Sequence, residues 1–141
     1  MNETYRILII SEAQGYMIMS LKEKIQEAGY AVSVVEPDVT QISAVRDRIG
    51  AYLIYGSDEM GDMQQALIYL KDQSAERDIP IFTVGSHEEI EAIGRVISKH
   101  LIRQFFERPV NINELVEAMD TYITKFGVQN KKKILVVDDS G

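Results

Sequence analysis

The sequence predicts an α/β fold, doubly wound about a five-stranded parallel sheet. Three observations carry that prediction. Short, unbroken aliphatic runs alternate with longer stretches whose apolar residues recur every three or four positions. Five such pairs follow in strict alternation, so each strand must reach the next through a helical crossover, which makes the sheet parallel and puts helices on both faces. Glycine and proline punctuate the joints.

Residues 7–10 (Ile-Leu-Ile-Ile) form the first run, unbroken as in a strand buried on both faces. Residues 16–28 place Met17, Leu21, Ile25 and Ala28 on one helical face, and Gly29 ends that helix. Residues 31–35 are a second strand, stopped by Pro37. Residues 39–49 predict a short helix with Ile42, Val45 and Ile49 inward, followed by Gly50 and a third strand over 51–55. A helix over 60–71 turns Met63, Leu67 and Leu70 to one side. Residues 79–84 are the fourth strand, and 88–100 a helix through Ile90, Ile93 and Ile97. Residues 103–107 make a weaker fifth strand. A last helix over 113–126 buries Leu115, Ala118, Met119, Tyr122 and Ile123. The expected architecture is a flavodoxin-like (βα)5 sheet in the order 2-1-3-4-5.

Composition narrows the function. The 141 residues fit one domain and a tail, with 45% hydrophobic and 26% charged residues, ordinary values for a globular protein. The absence of cysteine removes disulfides and thiolate metal sites. A net charge of −7 disfavours binding nucleic acid through its phosphates. No apolar run reaches the roughly 20 residues of a membrane span, and the N-terminus has no signal-peptide pattern, so a cytoplasmic protein away from membranes is expected. Glycine-rich phosphate loops are absent, against a dinucleotide or ATP enzyme. His87 and His100 have no local spacing for zinc.

The end of the chain repeats its beginning. Lys133-Ile134-Leu135-Val136-Val137-Asp138-Asp139-Ser140 reads against Arg6-Ile7-Leu8-Ile9-Ile10-Ser11-Glu12-Ala13, an offset of 127 residues. A domain-sized period predicts a tandem array, with a first domain over 1–127 and, over 128–141, a linker plus the truncated first strand of a second unit. In isolation, that apolar strand is expected to lie unordered or to dock on another molecule's edge.

These residues resemble the receiver domains of bacterial two-component response regulators, of the chemotaxis-regulator type, over residues 5–126. Residues 134–140 are close to the commonest first strand of such domains. Ile79-Pro80-Ile81 opens the fourth strand as receivers often do. Arg108-Pro109, followed by Val110-Asn111, resembles the family's Lys-Pro turn. Met60 and Met63 match its Met-Pro-x-Met loop, with Gly61 in place of proline.

The resemblance implies a phosphotransfer pocket at the carboxyl ends of the strands. Receivers hold magnesium with two acids after the first strand, phosphorylate an aspartate ending the third, sense the phosphate with a Thr or Ser ending the fourth, and balance its charge with the lysine before the proline. Here the acid pair is Ser11-Glu12, Ser57 stands at the acceptor, Gly85 with Ser86 next to it at the hydroxyl, and Arg108 at the lysine. A serine hydroxyl forms no acyl phosphate, and nothing near it in sequence is a base to activate it. The expectation is a degenerate pseudo-receiver without catalytic residues or cofactor, Glu12 being at most a weak magnesium ligand. Arg108 is expected to pair with Glu12 or Asp58 in place of phosphate.

Its role would be interaction, as the N-terminal module of a phosphorelay regulator, with the intact receiver beginning at Lys131 as neighbour. By resemblance, the face of the fourth helix, fifth strand and last helix is a homodimer candidate, with Leu101, Phe105, Phe106 and Tyr122 on it. Core packing is the alternative role of these aromatics. Leu101-Ile102 is expected to expose apolar surface there. Two other readings remain open: a phosphorylatable switch using Asp58, and a small-ligand sensor on the same scaffold.

Overall fold

The computed structural model describes residues 5–12, 15–45, 48–56, 63–98 and 100–128, the last three by their backbone alone. The elements run β1 (Arg6–Ile10), α1 (Tyr16–Glu27), β2 (Ala31–Val35), α2 (Val39–Ala44), β3 (Ile49–Tyr55), α3 (Gln64–Arg77), β4 (Ile81–Gly85), α4 (His87–Val96), β5 (Ile102–Glu107) and α5 (Ile112–Tyr122), which continues as a π-helical turn over Ile123–Val128. The five strands form one sheet in the order β2-β1-β3-β4-β5, parallel throughout. The expected order is the observed one.

The period of two along each strand sorts its side chains onto the two faces. Ile7, Ile9, Leu53, Tyr55, Phe82 and Val84 face α1 and α5, which return Leu21, Ile25, Leu115 and Met119. Leu8, Ile10, Tyr52, Ile54 and Ile81 face α2, α3 and α4, which return Ile42, Leu67, Leu70 and Ile93. Each fully buried leucine or isoleucine adds about 1.5–3 kcal/mol of transfer energy. This explains why β1 and β3, buried on both faces, read as continuous apolar runs.

Several boundaries differ from the sequence reading, by one or two residues at most strand ends and by more at the helices. The second helix stops at Ala44, with Val45 extended, and Ile49 and Gly50 belong to β3. Ile49 fits either period, and the ladder decides: Arg6 pairs with Ile49 across β1–β3, and the Arg6 N–H donates to Arg48 O at 2.8 Å. Gly50 suits that approach, since a Cβ there would lie 3.0 Å from the Tyr5 Cβ. The third helix runs on to Arg77 through a polar stretch that carries no apolar period. It ends at Asp78 in the left-handed region (φ 58°), with the Ile79 N–H returning to Ser74 O. The fourth helix ends at Val96 rather than His100, because Ile97 turns extended to bury its side chain under the sheet. Ile102 is buried at 5% exposure, against the expectation of exposed apolar surface. The first helix ends as expected, with Gly29 at φ +104°.

No helix among the described residues is long and apolar enough to cross a membrane. Ser57, Asp58, the Met60–Gly61 part of the loop, the Phe126 side chain and the tandem segment 129–141 lie outside the described residues.

Candidate functional site

Four strands end at one rim of the sheet and bring together residues far apart in sequence. Ser11 follows β1, Gly56 follows β3, Gly85 closes β4 and Arg108 follows β5. Backbone bonds hold these ends in register: Ser11 N–H to Val35 O at 2.9 Å, Gly56 N–H to Val84 O at 2.7 Å, and Arg108 N–H to Gly85 O at 3.0 Å. Ser11 is fully buried, while Glu12 is exposed. The Arg108–Pro109 peptide is cis.

Ser86 caps α4. Its Oγ accepts the Glu89 N–H at 3.2 Å, and its own N–H donates to Glu89 Oε1 at 2.9 Å, a reciprocal capping box. This cap turns the Glu89 side chain inward over the strand ends. There the Glu89 side chain is 7% exposed, and its carboxylate accepts a hydrogen bond from the Arg108 guanidinium in an ion pair. The guanidinium also stands over the Tyr55 ring, 5.6 Å from its centroid.

Two glycines make room for that carboxylate. A Cβ on Gly56 would meet Glu89 Oε1 at 3.0 Å, and one on Gly85 would meet it at 2.9 Å. The absent side chain at the hydroxyl position is thus a packing requirement of Glu89.

Arg108 is paired with Glu89, a carboxylate the sequence reading passed over; Asp58, one of the two partners expected for it, lies outside the described residues. The signal for Glu89 was present: Ser86-His87-Glu88-Glu89 at the head of an amphipathic helix is a capping-box pattern. That pattern shows that Glu89 bends back to Ser86, but not that Arg108 waits there. Among the described residues no group of three or more His, Cys, Asp or Glu could hold a metal ion. A two-carboxylate magnesium site does not fit the described residues, because a hydroxyl stands at Ser11 and Glu89 is held by Arg108.

The candidate interface residues lie on both sides of the edge strand β5. Leu101, Phe105, Phe106 and Tyr122 are each half-buried. Leu101 and Phe105 pack against the α3–α4 side of the core, Phe106 and Tyr122 against the α1–α5 side. Tyr122 meets Phe82 edge-on at 6.0 Å between centroids, and Arg103 stands 5.4 Å over its ring. Between α4 and β5 lies a groove of about 640 Å³ lined by His87, Ile90, Glu91, Gly94, Phe105 and Glu107, among others. His87 faces Glu91 at 3.3 Å and Glu107 at 3.7 Å.

No family model matches this sequence, and no curated protein matches it either. Its fold does have solved counterparts. The signal receiver domain of an HD domain-containing protein from Pseudomonas fluorescens Pf-5 is 14% identical, with a TM-score of 0.70 over 93% of this chain and 95% of the other. Chemotaxis protein CheY4 of Vibrio cholerae is 14% identical, with a TM-score of 0.65 over 84% of this chain and 98% of the other. A protein described as an adenylate cyclase from Rhodopirellula baltica is 12% identical, with a TM-score of 0.70 over 94% and 97%. At such identities the likeness is one of fold: this chain has the architecture of signal receiver domains.

Proposed function

We propose, on the premise of a receiver fold, that this chain is the receiver-like module of a two-component response regulator that no longer takes up a phosphoryl group. It acts through contact with other protein surfaces, first of all the intact receiver expected from Lys131 onward. The observation that carries the reading is the Glu89–Arg108 pair over Gly56 and Gly85. Resemblance puts the charge-balancing cation of receivers at Arg108, and here that cation is already neutralised by a carboxylate from the same chain. Ser11 in place of an acid weakens magnesium binding in the same direction. The face formed by α4, β5 and α5, with Leu101, Phe105, Phe106 and Tyr122, is the proposed contact surface.

Beryllofluoride with magnesium mimics an acyl phosphate and tests this directly. The unphosphorylated reading expects amide NMR signals of residues 12, 57, 58 and 85 to stay in place under titration. Saturable shifts at those positions would instead establish a working switch on Asp58.

A further inference from the structure

We infer that Glu89 is a resident internal ligand of this pocket: its carboxylate sits on Arg108 where an external oxyanion would sit, and it ties the first turn of α4 to the end of β5. The inference rests on the reading above and says how the pocket is kept shut.

A carboxylate on a side chain only 7% exposed must have partners inside the protein. Glu89 has two of different kinds, the guanidinium of Arg108 and the backbone N–H of Ser86 at 2.9 Å. Both are groups that bind free oxyanions, a fork of cationic donors and the amide at a helix N-terminus. Gly56 and Gly85 leave the space that a carboxylate fills. Arg108 itself is 35% exposed, so it lies within reach of solutes once Glu89 is removed.

The same helical turn carries His87, which faces Glu107, the neighbour of Arg108 in sequence. The head of α4 therefore meets the end of β5 twice, inward through Glu89–Arg108 and outward through His87–Glu107. Release of Glu89 frees the inner tie and changes the groove between α4 and β5 that His87, Glu91 and Phe105 line. The pocket's contents are thereby coupled to a surface a partner can feel.

Sulfate, titrated with EDTA present and against chloride of equal ionic strength, is the probe. It needs neither magnesium nor an acceptor aspartate, so it reads the internal ligand independently of phosphorylation. Glu89→Gln drops the charge and keeps an oxygen for the Ser86 N–H; Glu89→Ala empties the space. Both should bind sulfate at least about tenfold more tightly than the unaltered protein, with saturable shifts at Gly85, Ser86 and the Arg108 side chain. Arg108→Ala added to either should abolish the gain. Before any sulfate, both variants should move the His87 ring signals and the amides of residues 105–107. If Glu89→Ala does not fold, Glu89→Gln carries the test alone. Sulfate binding equal in the unaltered protein and the variants would overturn the inference, as would its absence from the folded variants. A response of the unaltered protein to beryllofluoride without one to sulfate would instead defeat the unphosphorylated reading and leave the internal ligand standing.

Discussion

Glu89 Oε1 lies so close to Gly85 that a Cβ on the glycine would stand 2.9 Å from it, and 3.1 Å from the Glu89 Cβ. The carboxylate and the missing side chain are two halves of one packing solution. Gly85→Thr, which restores the hydroxyl that the receiver resemblance expects, should therefore destabilise the fold by about 1–3 kcal/mol through overpacking. Added to Glu89→Ala, the same change should cost much less than the two single effects together, because contacting residues are not additive. Chemical denaturation of the four proteins of this cycle checks it; additive costs would contradict the shared space.

Arg108→Ala leaves the buried Glu89 carboxylate with the Ser86 amide but without its cation. A loss of about 2 kcal/mol is expected, below the cost for a fully buried pair because Arg108 is partly open to solvent. Arg108→Lys should lose less, since it keeps the charge and gives up the guanidinium fork. Urea midpoints of the two variants measure both.

Thr83 makes the opposite case. Its hydroxyl is fully buried in β4, and among the described residues Oγ1 has no hydrogen-bond partner. Thr83→Val keeps the shape and removes an unpaired polar atom. It should leave the fold intact and raise its stability by about 1 kcal/mol, seen as a higher melting temperature. A fall in stability would mean that the hydroxyl has a partner.

Alkaline pH should loosen the molecule through two tyrosines. Burial pushes the Tyr52 hydroxyl up to about 12, the Arg77 charge opposing and Tyr69 adding slightly. Burial also raises Tyr30, whose hydroxyl donates to Asp120 Oδ1 and ties the segment after α1 to α5. Both groups hold their protons in the folded protein beyond the ordinary tyrosine value of 10.0. Their contribution is therefore complete below pH 10 and drains away as pH rises above it, for Tyr52 towards 12 and for Tyr30 later still. Tyr52→Phe should flatten that decline in a pH series of denaturation midpoints. Tyr30→Phe should in addition cost about 1–2 kcal/mol at neutral pH, the loss of a hydrogen bond to a carboxylate.

The sequence by itself determined the order of elements, the parallel sheet and the sorting of core residues, because these follow from local period: two along a buried strand, three to four along a one-faced helix. It also located Ser11, Gly85, Ser86 and Arg108 at strand ends. The end of the second helix escaped it, since Ile49 satisfies both periods and only pairing with Arg6 chooses between them. The tertiary structure alone decided the partner of Arg108. Glu89 lies 19 residues away on another element, and what brings the two together is the register of β4 against β5 together with the cap at Ser86. Periodicity tells which way a side chain faces; which neighbour it finds there depends on how elements align after they pack, and no local pattern encodes that distance.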